Sequence, residues 1–414
     1  MVLWDEAERT AAEYGDSFYI YDEERFVGNF KALERAFAEQ YEPTHLAYSY
    51  KTNYTPDICK MVNQLGGYAE VVSDMEYVLA GKLGVDGKRI IYNGPYKTAP
   101  SLRSALFSGS IINIDSLSDL DIVMQIASEH QDRDFTLSVR CNFTLDGKLD
   151  SRFGLDVEGK EFKEVIGRLS RGRNTRLVGL HCHYPNRDLT SFATRARKML
   201  DLARAIFTEP PDFLDIGGGF YGEMPDELKS KLSVVPATFA DYASLIGGLF
   251  RDAYPKPGVR PTLVIEPGTA LVANTFSFVA KVVGAKTVRG RRIMTVAGSI
   301  FNISPNTRSG NLPVTVLRRK ALEDVTASYG PVDIAGYTCI ENDYLTKSYG
   351  GALDVGDYVK YDNIGSYSIV MKPPFIFPNA PILKKVSNGR DYVLIKEREP
   401  YDYIFENFRG LKWT

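Results

Sequence analysis

The residues that could do chemistry stand at or just after the ends of short apolar runs. Lys51 follows Leu46–Tyr50. An amine leaving such a run is partly desolvated, which lowers its pKa and favours imine formation with an aldehyde. In a surface loop the same lysine would be an ordinary solvated cation. Glu70 lies within Ala69–Val72, where an inward carboxylate needs a partner. Ser73 and Glu76 have the S-x-x-E spacing of a helix capping box. Arg140 ends Thr136–Arg140 and needs an anion or a pairing carboxylate. His181 and His183 fall on one face of an extended segment. They lack a clustered third histidine and the H-E-x-x-H spacing, so no metal site is expected. A ring packed on a planar cofactor and a hydrogen-bonded core histidine both stay open. Gly217, Gly218 and Gly219 follow Phe213–Ile216. Without Cβ atoms their amides can approach a phosphate, although three glycines also make a tight turn. Glu266 closes Leu263–Glu266, and a buried carboxylate facing a ring nitrogen holds that nitrogen protonated.

These residues need a frame that brings strand ends together. Eight runs read as strands: Leu46–Tyr50, Ala69–Val72, Ile90–Tyr92, Ile111–Ile114, Thr136–Arg140, Leu177–His181, Phe213–Ile216 and Leu263–Glu266. Helical periodicity follows most of them, as in Pro56–Gln64, Leu117–Ser128 and Leu189–Phe207. Strand–helix alternation implies a parallel sheet, and eight units fit a closed (β/α)8 barrel better than an open one. The barrel is expected over residues 26–269. Residues 270–414 lose the helical rhythm and read as an all-β domain, which residues 1–25 join through the strand Phe18–Tyr21.

Composition narrows the function classes. The chain has 414 residues and a formal net charge of -2, which offers no electrostatic reason to bind nucleic acid. No apolar run is long enough to span a membrane, and the first residues do not read as a secretory signal. Four scattered cysteines suit a reducing cytoplasm rather than a disulfide framework.

In a barrel the reactive residues gather at the C-terminal ends of the strands. A lysine for an aldehyde, glycines for a phosphate and a glutamate for a ring nitrogen are together what pyridoxal 5′-phosphate requires.

Over roughly residues 18–380 the chain resembles the fold-type III pyridoxal-phosphate decarboxylases, the group with the alanine racemase-like barrel that includes diaminopimelate and ornithine decarboxylases. The resemblance is carried by Tyr50-Lys51-Thr52-Asn53, Gly67 to Glu76, Ser151-Arg152-Phe153-Gly154, His181 to Asn186, Asp215 to Phe220 and Glu266-Pro267-Gly268-Thr269. In the β domain it is carried by Gly336 to Asp343, Gly356-Asp357 and Gly365 to Ser368.

The resemblance implies decarboxylation of an amino acid or an amino-acid-derived intermediate. It implies that Lys51 forms the cofactor aldimine and that Cys339 of a partner subunit protonates the quinonoid carbon in a homodimer with shared sites. Glu70, Arg140, His183, Asn186, Gly217, Gly218, Gly219, Glu266 and Tyr367 are the implied cofactor contacts, with His183 on the ring face and Tyr367 at the phosphate. Ile340, Glu341 and Asp343 are the implied substrate contacts. A racemase or epimerase of the same fold, or a non-catalytic cofactor-binding relative, are the alternatives.

Three departures stand out. Thr269 replaces the arginine of the E-P-G-R segment, with Arg187 or Arg308 as stand-ins by charge. Asn186 replaces a serine. Ile340 replaces the acid that holds a distal amine, so a substrate without one is expected.

Overall fold

The computed structural model describes residues 3–145, 151–304, 311–319, 330–386 and 391–409. The chain divides into two compact units. One comprises Val27–Glu223 and Val234–Leu271; the other comprises Met1–Phe26, Met224–Ser233 and Val272–Thr414.

The first unit is a closed ring of eight parallel strands. We number the strands through the chain from β1 (Ser17–Tyr21), which lies in the second unit. The ring contains β2 (Thr44–Ser49), β3 (Tyr68–Val71), β4 (Ile90–Tyr92), β5 (Ile111–Ile114), β6 (Phe135–Asn142), β7 (Thr175–His181), β8 (Phe213–Asp215) and β9 (Thr262–Ile265). Pairing runs in this order, and β9 returns to β2 with Leu263 opposite Thr44 and Ile265 opposite Leu46. These strands are short and apolar because both of their faces are covered. Ala47, Ile91, Val178, Phe213 and Val264 form one buried cluster of the ring. Gly179 makes room for it: a Cβ there would stand 2.5 Å from the Phe213 ring.

The chain leaves the strands through loops that end in helix caps. Side chains of Ser73, Thr98, Ser116, Asp188 and Thr238 accept hydrogen bonds from the backbone amides of Glu76, Ser101, Asp119, Ser191 and Asp241. Each cap contributes on the order of 1 kcal/mol and sets where a loop stops. The Ser73 cap departs from a reciprocal box. The Glu76 carboxylate accepts from the Val72 amide at 2.8 Å, one residue earlier than the box spacing implies. Outside the ring, Phe192, Phe220 and Tyr242 pack with centroids 4.7–5.1 Å apart. They brace the glycine segment from behind.

In the second unit β1 pairs antiparallel with β10 (Phe276–Val288) and parallel with Ile382–Lys385. A register shift between Val282 and Gly284 lets β10 continue onto Arg291–Val296. Val332–Ala335, Tyr344–Tyr349 and Ile382–Lys385 are strands that sequence patterning did not single out. A helix, Trp4–Tyr14, precedes β1 and buries Ala7 and Ala11 against Phe18, Val279 and Leu383.

Candidate active site

Lys51 sits in a single 3-10 turn, Tyr50–Thr52, directly after β2. Its Nζ forms an ion pair with Oε2 of Glu70 on β3. Ser49 donates to the same oxygen at 2.6 Å. The lysine side chain is 30% exposed and the glutamate side chain is fully buried, so the charge pair opens toward solvent from the amine side only. The partner that an inward Glu70 needs is therefore Lys51.

Asn93, the first residue after β4, donates through Nδ2 to Oε1 of Glu70 at 3.0 Å and to Oε1 of Glu266 at 2.5 Å. Asn113 on β5 donates to Asn93 Oδ1 at 2.6 Å and so fixes which way the amide faces. Sequence reasoning missed both asparagines. The signal for Asn93 was its place at the end of a barrel strand, the level at which Lys51 and Glu266 also lie.

Glu266 follows β9 and is buried. Its Oε2 is 3.4 Å from His181 Nε2 and 3.7 Å from His183 Nδ1. Burial alone would push this carboxyl up. The charges of His181 and Lys51 outweigh burial and hold it well below the usual carboxylate range. Asp215, at the end of β8, shows the opposite outcome. Burial and then the neighbouring Glu266 charge push its carboxyl well up. One ligand atom each of His181, Asp215 and Glu266 fall within 4.8 Å of one another. Asp215 Oδ1 already accepts from the Gly217 amide at 2.8 Å, and His181 is already engaged with Glu266. We read the trio as a proton-sharing cluster.

The glycine segment is dictated by close approach. Gly217 has φ +72°, and a Cβ there would collide with the Cys182 carbonyl. A Cβ on Gly218 would collide with the Glu266 carbonyl, and one on Gly219, φ +102°, would stand 3.0 Å from the Asn186 carbonyl. The Gly217 amide goes to Asp215, and the Gly218 amide goes to His183 Nδ1 at 3.0 Å. Accepting that bond requires an unprotonated nitrogen. Burial, and then the Lys51 charge, push the His183 pKa well down, which agrees. Asn186 Oδ1 is buried beside this segment with no partner.

Arg140 is buried and pairs with Asp115 at 3.2 Å, while its Nε has no partner. Its guanidinium lies 4.8 Å from the Phe153 ring. Arg187 packs over Tyr221 at 5.5 Å. Arg308 lies outside the described residues. Arg195, which sequence reasoning also passed over, is fully buried and donates to the carbonyls of Gly218 and Asn186.

The ring thus assembles Lys51, Glu70, Arg140, His183, Asn186, Gly217–Gly219 and Glu266 at one end of its strands. Cys339, Ile340, Glu341, Asp343 and Tyr367 belong to the second unit. There Cys339, Ile340 and Glu341 are exposed, and Tyr367 is half-buried with φ +64°. Asp343 is buried and accepts from the amides of Ile300 and Thr338, at 2.7 and 3.1 Å, and from the Thr338 hydroxyl at 2.6 Å. Its carboxylate shapes the Cys339 loop.

The residues of the ring fit pyridoxal phosphate on structural grounds. An amine stands at the mouth, and an ionised carboxylate is buried beside it. Nearby is a glycine segment packed too closely against the backbone for any side chain, with the Asn186 side-chain amide at its edge.

Comparison with known proteins agrees. Residues 27–273 match the family described as pyridoxal-dependent decarboxylase, pyridoxal binding domain. The chain is 27% identical to diaminopimelate decarboxylase of Aquifex aeolicus over 96% of this chain and 92% of that one. It is also 27% identical to the enzyme of Methanothermobacter thermautotrophicus, with the same two coverages. Among solved structures, diaminopimelate decarboxylase of M. jannaschii superposes with a TM-score of 0.84 at 24% identity, covering 97% of this chain and 93% of that one. The Helicobacter pylori enzyme complexed with L-lysine gives 0.81 at 21%, covering 96% and 98%. These superpositions carry the fold.

Proposed function

The chain belongs to the family of pyridoxal-dependent decarboxylases, and from that premise we propose that Lys51 is its cofactor lysine and an amino acid or amino-acid-derived acid its substrate. Pyridoxal phosphate, when bound, supplies an electron sink for the carbon that loses CO2. The observation that carries the assignment is the Lys51–Glu70 pair at the mouth, tied through Asn93 to Glu266.

Each residue has a physical task in this reading. Glu70 takes and returns the proton of Lys51 Nζ, so the amine can act as a nucleophile and as a leaving group. Glu266, kept ionised by His181 and Lys51, would pair with the ring nitrogen as a fixed anion. His183, neutral and held by the Gly218 amide, would pack its flat face against the ring. Gly217–Gly219 and Asn186 would hold the phosphate, and Arg140 would lie beside the ring.

We assign proton return to the Sγ–H of Cys339 from a partner subunit of a homodimer. Its support is exposure: Cys339 stands free in a unit that also exposes Ile340, Phe375, Ile376 and Phe377. Ile340 cannot pair an ammonium, which favours a substrate without a distal amine at that position. Four free cysteines support work in a reducing compartment such as the cytoplasm.

The test is borohydride reduction of the purified chain with added pyridoxal phosphate, followed by peptide mapping and a screen of amino acids for amine products. A pyridoxyl label on Lys51, lost in Lys51→Ala together with turnover, is expected. A label on another lysine, or full turnover by Lys51→Ala, overturns the assignment. Inversion of chirality without an amine product would move the chemistry to racemisation.

A further inference from the structure

Arg195 is a charge without a counter-charge. It lies on the helix Leu189–Ile206, and none of its side chain reaches solvent. Its Nη1 donates to the Gly218 carbonyl at 2.9 Å, and its Nη2 donates to the Asn186 carbonyl. Nε and Nη2 lie 3.1 and 3.0 Å from Ser191 Oγ, and Phe192 stacks 4.2 Å from Cζ. No carboxylate pairs with it among the described residues. Lys97 and Arg140, also buried in this unit, each have one, Asp119 at 2.7 Å and Asp115 at 3.2 Å. Carbonyl dipoles satisfy the N–H groups of Arg195 but leave its net charge in a low-dielectric setting, where a lone cation is costly.

The placement shows where an anion would meet that charge. Nη1 stands 3.9 Å from the point a Cβ on Gly219 would occupy, and the two carbonyls it grips flank that glycine. The guanidinium therefore underlies the glycine segment. Thr269 offers no cation of its own at the neighbouring strand end. An anion seated on the segment would feel Arg195 through a few ångströms of protein rather than through water.

We propose that Arg195 is the buried counter-charge of the phosphate group held by Gly217–Gly219, a positioning residue that acts through the loop without touching the ligand. The proposal rests on the reading of these glycines as a phosphate cradle.

Affinities of the full chain, freed of cofactor, for pyridoxal 5′-phosphate and for pyridoxal separate the possibilities. They are read from the visible absorbance of the bound form in wild type, Arg195→Lys and Arg195→Gln. The wild type is expected to prefer the phosphorylated form by at least about a hundredfold. Arg195→Gln, which keeps a donor and loses the charge, should shrink that preference at least about tenfold, and pyridoxal itself should change less than about threefold. Arg195→Lys should keep the preference within about threefold. An unchanged preference in Arg195→Gln overturns the proposal, as does an equal weakening of both ligands, which would mean that Arg195 only shapes the loop. If Arg195→Gln does not fold, a tenfold loss of preference in Arg195→Lys overturns it and a retained preference supports it. A wild type without preference refutes the phosphate cradle itself, before any variant is made.

Discussion

Glu70 and Glu266 share one donor: Asn93 Nδ2 lies 3.0 Å from an oxygen of the first and 2.5 Å from an oxygen of the second. The carboxylate that serves the lysine and the carboxylate assigned to the ring nitrogen are thereby held at a set separation. Asn113 locks the arrangement by engaging the other end of the Asn93 amide.

Replacing Asn93 with Ala removes the amide that joins the two carboxylates and leaves two acids facing each other. A hydrogen bond to a charged group contributes about 1.5–3 kcal/mol, so kcat should fall roughly ten- to a hundredfold. Asn113→Ala, acting only through Asn93, should cost less. Steady-state kinetics of the two variants check the order. Equal losses, or none, would mean that the tether does not position the pair.

Glu76 links the site to pH. It is 4% exposed, and burial raises its pKa from 4.5 to about 7 against the pull of the Val72 amide. The folded chain keeps a proton that the unfolded chain releases. The associated stability is complete below the unfolded value and is lost as pH climbs toward about 7. Over that window the change amounts to about 3 kcal/mol. Glu76→Gln retains an acceptor for Val72 and cannot titrate, so it should flatten the decline. Urea unfolding at pH 5 and pH 7 measures this, and parallel declines in both proteins would refute it.

Gly218→Ala places a methyl group into the Glu266 carbonyl. The loop must move, and cofactor affinity should drop by a hundredfold or more, about 3 kcal/mol on the affinity scale. Gly248, whose Cβ position meets only Arg251 Nη2 at 4.0 Å, is the control and should tolerate Ala. Cofactor titration of the two variants decides; similar affinities would contradict the cradle geometry.

Cys339 should be the one thiol open to alkylation. Burial pushes Cys59 and Cys141 far up and Cys182 to about 12, whereas Cys339 is exposed. Iodoacetamide is expected to add one label per chain, on Cys339, and to lower turnover about ten- to a hundredfold or more. Cys339→Ala should match that loss and take no label. Full activity after complete labelling would remove Cys339 from the mechanism.

The barrel was legible because each of its strands is a brief apolar run followed by helical spacing, and the runs at Ile90–Tyr92 and Ile111–Ile114 match the structure residue for residue. Lys51, Glu266 and the glycines were legible because they stand where such runs end. Arg195 was not, since a polar residue within a helix has no spacing that distinguishes a solvated position from a buried one. Its burial depends on the Phe192–Phe220–Tyr242 packing that the fold creates. The strands Val332–Ala335 and Tyr344–Tyr349 are brief, and both show irregular register between them, so alternation along either is broken. Asp343 read as a substrate contact from the resemblance, and its bonds to Ile300 and Thr338 emerge only from the folded loop.

The closing seam of the ring, where Leu263–Ile265 meets Thr44–Leu46, also bears on how the protein is made. Lys51 leaves the ribosome early, and Glu266 leaves it after every other strand of the ring. A chain still in synthesis therefore carries Lys51 and its partner Glu70 before the carboxylate assigned to the ring nitrogen and before a sealed wall. The site's two carboxylates therefore come together only when the last strand docks beside the first, a contact between residues more than two hundred positions apart whose closure is entropically costly.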